Sequence, residues 1–367
     1  MKVIFCTDGI FPHDVGGMQR HSRFLAEYLA KSGKVELTVI HPHPENVFES
    51  ALGITELRIQ PIDKKKNYLL ECYRYSKRVN ALLLQYPEHI VYSQGLSVWS
   101  GIKKVAPRLI VNPHGLEPYQ AISGKDKAAG IPFRMIFNYI FSNAARVVSL
   151  GGKLTNILEK NIKNTKKIIE LPNAVVLPPV NPKVFNQQIR CLFVGRFAGN
   201  KGIHILIEAI KQLNEEGYGD KMIFNLGGKG PLFEHYSTSS QYPNLNYLGF
   251  ISDEQLFELY RSNDLFVLPT LFEGMPTVVL EAMSYGMPVI VSDVGATSVQ
   301  VDVSNGYLIR RNDVDVLKDA LKKFYALDAS QKEKMSEASR RKIEKQFTWE
   351  KVAEAHVQEF LKLAAAK

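Results

Sequence analysis

The chain has 367 residues, 45% of them hydrophobic and 23% charged. That composition is globular, and the length exceeds one ordinary core, so two domains are expected. Forty-six basic against 37 acidic residues leave a formal charge of +9, which points to an anionic partner without saying which, while three distant cysteines (Cys6, Cys72, Cys191) exclude a disulfide framework or CxxC zinc cluster.

Residues 2–6 (KVIFC) read as a first strand rather than a secretory leader, because one Lys and a short apolar run give way at once to polar residues. No run of 18 apolar residues is present to span a membrane, and a reduced, cytoplasmic setting is expected. A long loop holding Gly16 and Gly17 opens a helix over 19–31, where Phe24, Leu25, Tyr28 and Leu29 recur at helical spacing before Gly33. Residues 35–40 form the next strand. The resulting parallel strand–helix–strand unit carries its glycine loop at the carboxyl end of a strand, where open α/β sheets bind ligands. There is no GxGxxG; paired glycines instead let backbone approach a ligand without a Cβ between them.

The alternation continues, with strands expected at 57–59, 89–92, 108–112, 146–149 and 167–170 and helices at 68–86, 97–105, 131–144 and 154–160. This makes residues 1–172 a Rossmann-like domain. Between residues 58 and 78, basic residues interleave with Tyr68, Tyr73 and Tyr75, a pattern that suits a solvated helix face, a nucleic acid or an anionic membrane.

Residues 172–182 (PNAVVLPPVNP) hold four of the 18 prolines and read as an extended connector. The architecture then restarts over 183–346. Strands are expected at 189–194, 222–226, 245–248, 265–268, 289–291 and 306–309. Helices are expected at 204–214, from 232, and at 253–261, 277–285, 314–325 and 330–345, with Ser252 as a cap. Residues 349–363 form a last amphipathic helix.

Three loops of this second half carry chemistry. In the loop 195–202 (GRFAGNKG), Gly195 follows a strand, and Arg196 and Lys201 stand five apart, able to clamp a diphosphate by a planar fork and a point charge. The turn 227–231 (GGKGP) offers Gly228 and Gly230 for close backbone approach. The stretch 264–293 places a loop, 269–276, directly before a helix, whose uncapped amides and positive dipole end seat an anion. Glu273 lies in that loop and Glu281 in the helix. Solvated Glu, Arg and Lys residues are commonplace, and only the glycine, proline and apolar setting separates these from them. In the first half His114 sits between Pro113 and Gly115 just past a strand.

The loop GRFAGNKG, the Gly16-Gly17 pair, His114-Gly115 and the Glu-x7-Glu spacing of EGMPTVVLE together resemble the retaining glycosyltransferases of family 4, the "glycosyl transferases group 1". The resemblance spans nearly the whole chain and implies the GT-B fold: two Rossmann-like α/β domains with parallel sheets facing across a cleft that closes on substrate, with the last helix, 349–367, packed back onto the first domain. It further implies Arg196 and Lys201 on the donor diphosphate and Glu281 on the ribose hydroxyls. Glu273 and the segment Gly274, Met275, Pro276 and Thr277 would hold the donor sugar, Pro276 without an N–H to give. His114 would touch the sugar or reaction centre and Gly17 the phosphate, and Leu248, Gly249 and Phe250 would frame the base. Departures are Asn173-Ala174 where Asn-Gly is usual, Thr270 for Ser, and Lys229 between glycines where acidic or small residues are more frequent.

The implied partners are a UDP- or GDP-sugar donor and a glycan or lipid-linked acceptor in bacterial surface polysaccharide assembly, read by loops 45–52 and 117–127. An anionic membrane is a candidate contact and nucleic acid is not expected. No metal or cofactor is implied: Asp313-Val314-Asp315 reads as a helix cap, not a metal motif. A sugar phosphorylase, a nucleotide-sugar epimerase and a non-catalytic nucleotide-sugar or nucleic-acid binder are the alternatives; the two carboxylates beside two cations weigh against the last.

Overall fold

The computed structural model describes residues 1–63, 65–179, 182–239 and 241–366. The chain divides into two compact units, Met1–Ala174 with Trp349–Lys367, and Val175–Thr348.

The first unit is built on seven strands: β1 (Lys2–Cys6), β2 (Glu36–His41), β3 (Thr55–Arg58), β4 (Ile90–Gln94), β5 (Leu109–Asn112), β6 (Arg146–Ser149) and β7 (Ile168–Glu170). They pair in the order 3-2-1-4-5-6-7, every pairing parallel. β4 and β5 are buried along their whole length, the unbroken apolar signature of strands covered on both faces. The helices are α1 (Gly17–Lys31), α2 (Tyr68–Leu83), α3 (Glu117–Gln120), α4 (Gly124–Ala129), α5 (Ile131–Asn143) and α6 (Lys153–Asn161).

Two expectations fail here. Residues 97–105 form no α-helix but the 3-10 turns Ile102–Lys104 and Ala106–Arg108. Gly101, left-handed at φ 66, and Pro107 each interrupt a helical path. The stretch 117–127, read as loop, holds α3 and the start of α4, the latter capped by Ser123 Oγ accepting from the Asp126 N–H at 3.0 Å.

The second unit has six parallel strands: β8 (Ile189–Val194), β9 (Met222–Gly227), β10 (Leu245–Gly249), β11 (Leu265–Leu268), β12 (Val289–Ser292) and β13 (Gly306–Ile309), in the order 10-9-8-11-12-13. Around them lie α7 (Ile203–Glu215), α8 (Phe233–Ser239), α9 (Asp253–Ser262), α10 (Thr277–Ser284), α11 (Thr297–Gln300), α12 (Val314–Ala326) and α13 (Ala329–Gln346). Ser252 and Gln255 form a capping box at α9. Asp313 caps α12 by accepting from the Val316 N–H at 3.0 Å, as its position before an apolar-periodic run predicts. In the connector, Val175 bridges to Thr348, and Val180 and Asn181 lie outside the described residues.

The last helix, α14 (Trp349–Ala365), belongs to the first unit. Its Trp349 ring stacks on Phe24 (5.7 Å) and Tyr28 (6.0 Å) of α1. Val352, Val357, Phe360 and Leu363 share one core with Val3, Phe5, Leu25 and Tyr92.

Candidate active site

In a doubly wound sheet, strand order reverses at one point, and the loops leaving the two strands there diverge to open a crevice. In the second unit that point lies between β8 and β11. The loop 195–202 leaves β8, and the loop 269–276 leaves β11. The two are joined through one carbonyl: Asn200 O accepts from the Leu271 N–H and from Thr270 Oγ1, both at 2.8 Å. Gly202 makes the approach possible. It is left-handed (φ 69), and a Cβ there would lie 1.8 Å from the Pro269 carbonyl oxygen, a distance no side chain tolerates.

This join sets Lys201 Nζ 2.5 Å from Glu273 Oε1, both side chains half-buried, with Thr270 Oγ1 3.2 Å from the same carboxylate oxygen. Two residues expected to hold different parts of a ligand are thus an ion pair. Arg196, on the same loop, is exposed. Behind Glu273 the chain is pinned by the Ala296 N–H donating to Gly274 O (2.8 Å) and by Gln300 Nε2 donating to Pro276 O (3.0 Å). Gly295 (φ 56) has Glu273 O 2.3 Å from where a Cβ would stand. Met275 turns its side chain inward at 3% exposure. Helix α10 then starts at Thr277 with no side-chain cap at its N-terminus and no acidic residue in its first turn, so this end retains its capacity for an anion. Glu281, one turn on, has its Oε2 fixed by the Tyr260 hydroxyl at 2.8 Å. Tyr260 is fully buried on α9 and stacks on Tyr285 at 5.5 Å.

The glycine turn after β9 packs onto the same loop. A Cβ at Gly228 (φ 125) would lie 2.0 Å from Gly195 O, and one at Gly230 2.5 Å from Phe197 O. The Gly228 N–H donates to Gly249 O at 2.7 Å, tying in the end of β10. On either side of Gly249, Leu248 is 38% exposed and Phe250 77%. All the expected residues of the second half therefore gather on the carboxyl ends of β8 to β11.

In the first unit the reversal falls between β1 and β4. Gly16 and Gly17 lead into α1, where Gly16 provides no side-chain cap. A Cβ at Gly17 would meet nothing within 4 Å, so packing does not require that glycine and space is left over its backbone. His114 is left-handed (φ 59), its N–H donating to Asn112 Oδ1 at 2.8 Å. A hydrogen-bonded line then runs to the last helix: Asn112 Nδ2 donates to Tyr92 Oη (3.0 Å), Tyr92 Oη lies 3.1 Å from His356 Nε2, and His356 Nδ1 lies 2.7 Å from Val352 O. Donation by Tyr92 to Nε2 and by Nδ1–H to the carbonyl satisfies every atom of that line. His21 of α1 packs edge-on to His114 at 4.9 Å. Burial first, then the neighbouring His356, pushes His114 down to about 3; burial takes His356 to about 4 and His21 well below its ordinary value. All three imidazoles are neutral at physiological pH.

Sequence reading missed several residues that shape these crevices. Tyr260 and Asn200 meet their partners only through the fold, as does Thr270, which the sequence marks only as a departure from the family's Ser and not by its bonds to Asn200 O and Glu273. So does the buried trio of Thr7, Ser22 and Gln94, where Ser22 Oγ bonds both Gln94 Oε1 and Thr7 Oγ1 at the β1/β4 edge. The one sequence signal of Thr7 and Gln94 is polarity at a strand's carboxyl end, which is too common to single them out, and Ser22, inside α1, has none. Among the described residues, no group of three or more His, Cys, Asp or Glu is arranged to hold a metal ion, and no helix is long and apolar enough to cross a membrane.

Comparison with known proteins gives two family matches: "Glycosyl transferases group 1" over residues 180–342 and "Glycosyltransferase Family 4" over residues 15–177. The chain is 24% identical over 360 residues to an uncharacterised glycosyltransferase of Methanocaldococcus jannaschii, covering 96% of this chain and 95% of that one. It is 28% identical over 240 residues to the UDP-Gal:alpha-D-GlcNAc-diphosphoundecaprenol alpha-1,3-galactosyltransferase of Escherichia coli, covering 59% of this chain and 62% of that one. Among solved structures it resembles sucrose-phosphate synthase from Thermosynechococcus elongatus, with a TM-score of 0.79 at 20% identity over 100% of both chains.

Proposed function

Because the chain belongs to the family 4 glycosyltransferases of GT-B fold, we propose that it moves a hexose-type sugar from a UDP- or GDP-sugar to a glycan or lipid-linked acceptor. Configuration is retained, and neither a metal ion nor a resident cofactor takes part. The setting is bacterial polysaccharide or glycolipid synthesis, and the chain works from the cytoplasmic side of a membrane that holds the acceptor. The name of the Escherichia coli relative, which pairs a UDP-sugar with a diphosphoundecaprenol-linked acceptor, supports this reading.

The observation that carries it is the Lys201–Glu273 pair beside the open end of α10. Cleaving a sugar–phosphate bond leaves positive charge on the sugar and negative charge on the departing diphosphate. Lys201, Arg196 and the α10 amides answer the second, and Glu273 answers the first. Glu281, aimed by Tyr260, accepts the ribose hydroxyls. The partly exposed edge of Leu248, Gly249 and Phe250 frames the base. Backbone at Gly274, Met275 and Thr277 holds the sugar, Gly195, Gly228 and Gly230 allow close approach, and Gly16 and Gly17 present amide to phosphate. His114, neutral, hydrogen-bonds a sugar hydroxyl. As the bond from the anomeric carbon to phosphate breaks, its electron pair goes to the phosphate oxygen. The acceptor hydroxyl attacks from the same face and gives its proton to that departing oxygen.

The test is donor turnover, read as release of UDP or GDP. Arg196→Ala and Glu281→Ala, each with an unaltered melting curve, are expected to lower kcat/KM by about 100-fold or more. Folded variants turning over at the parent rate would overturn the assignment.

A further inference from the structure

Helix α5 departs from the pattern of a surface helix, which pairs an apolar inner stripe with a polar outer face. Its sequence, IPFRMIFNYIFSN, holds no acidic residue and one cation. Phe137, Ile140 and Phe141 face inward. The outer face is apolar as well: Ile131, Met135 and Tyr139, at i, i+4 and i+8, are 49%, 68% and 43% exposed. The single cation, Arg134, does not break the stripe. Its guanidinium donates sideways to Pro118 O (2.7 Å) and Lys127 O (2.9 Å). Exposed Ile122 lies in the link between α3 and α4, both packed on α5, and Tyr68 of α2 brings its ring 6.3 Å from that of Phe133.

Charge surrounds this stripe with one sign in excess. The 3-10 turn that packs on α5 carries exposed Lys103 and Lys104, and α4, also packed on α5, carries exposed Lys125 and Lys127; the facing carboxylates are Asp126 of α4 and exposed Glu117 of α3. The arginines of the tyrosine-rich segment are by contrast engaged locally. Arg58 donates to Pro44 O (2.8 Å), Arg78 to Gln60 O (3.0 Å), and Arg74 pairs with Glu71 (2.6 Å); Lys64 of that segment lies outside the described residues. An apolar stripe about two turns long, rimmed by lysines and lacking carboxylates of its own, is complementary to a bilayer surface. Side chains enter the acyl boundary while the ammonium groups meet anionic headgroups.

We propose that α5, with the lysines of the elements packed against it, is the face by which this protein lies on an anionic lipid bilayer. The proposal rests on the reading of a membrane-held acceptor, and it narrows that reading to one helix.

The experiment is co-sedimentation of the full chain with acceptor-free vesicles, of phosphatidylglycerol mixed with phosphatidylcholine or of phosphatidylcholine alone. The parent should bind the anionic vesicles, less at high salt and less on the neutral lipid. The double variant Ile131→Glu/Met135→Glu should bind at least about tenfold more weakly, and Lys103→Ala/Lys104→Ala should weaken only the salt-sensitive part, all with the parent's melting curve. A parent that ignores anionic vesicles overturns the proposal, as do both variants binding like the parent. So does a parent dimer that the glutamate pair dissociates without any vesicle binding, which would give this face to a second copy of the chain. Because the vesicles carry no acceptor, binding is read independently of turnover: vesicle binding by a chain that releases no UDP or GDP in the separate donor-turnover assay would count against the enzymatic reading alone, and turnover without vesicle binding against this one alone.

Discussion

Glu273 is not a free carboxylate waiting for sugar, because Lys201 already holds it at 2.5 Å. A donor that places phosphate near Lys201 must share that cation with Glu273, so nucleotide binding and the carboxylate's position are coupled. Glu273→Gln removes the competing charge and keeps an oxygen for Lys201 to donate to. The expected result is a split: kcat falls by about 100-fold through lost charge stabilisation, while nucleotide affinity holds or improves. Equal losses in kcat and affinity would contradict the shared cation. Tyr260→Phe tests the neighbouring carboxylate more gently. Removing one hydroxyl should weaken nucleotide binding by about tenfold, the worth of one hydrogen bond to a charged group, and leave kcat at saturation near the parent's. Gly202→Ala should cost about 2 kcal/mol or more in denaturant titration, since a left-handed backbone and a carbonyl at 1.8 Å both oppose the methyl. At this scale the sequence was half legible. Arg196, Lys201, Glu273 and Glu281 show themselves by residue type and loop position. Their partners do not: Tyr260 is 21 residues from Glu281 and Asn200 is 70 from Thr270, separations at which no local pattern operates.

Among elements, the strands read most plainly, because a strand buried on both faces is a short unbroken apolar run, as in β4, β5 and β11. Residues 97–105 misled because apolar spacing there mimics a helix while Gly101 and Pro107 quietly forbid it. The cluster of His21, His114 and His356 was illegible, drawing one histidine each from α1, the loop after β5, and α14. Its acid sensitivity follows from its burial. Folded-state values of about 3 for His114 and about 4 for His356 lie below the ordinary 6.5, so the unfolded chain binds more protons than the native one across that interval. The stability held by their neutrality is complete above pH 6.5 and is lost as pH falls toward those values. Each histidine contributes a slope of about 1.4 kcal/mol per pH unit. Denaturant unfolding between neutrality and pH 4.5 should therefore show proton uptake, and His356→Gln, where it folds, should lower that uptake by about one proton. A stability that stays flat over this range would contradict the buried neutral cluster.

At the level of the molecule, two Rossmann-like units were legible from the restart of strand–helix alternation after the proline-rich connector. That α14 packs back onto the first domain is implied by the family resemblance and not by its amphipathic pattern, which says that a face is buried and not against what. Its contribution can be measured. Phe360→Ala, in the shared core, should cost about 3–5 kcal/mol. Ending the chain at Thr348 should leave residues 1–174 open to limited proteolysis while the Val175–Thr348 unit resists it. Equal protection of both units in that shortened chain would show that α14 is dispensable.

The same threading has a bearing on synthesis. Of the two cores, the one translated first is completed only when residues 349–365 have left the ribosome, because Trp349, Val352, Val357, Phe360 and Leu363 are part of it. The Val175–Thr348 unit has no such wait. The order of folding should then invert the order of translation, with nascent residues 1–174 the natural clients of chaperones for the whole interval. A premature stop anywhere before α14 would leave an exposed apolar surface for proteases to act on.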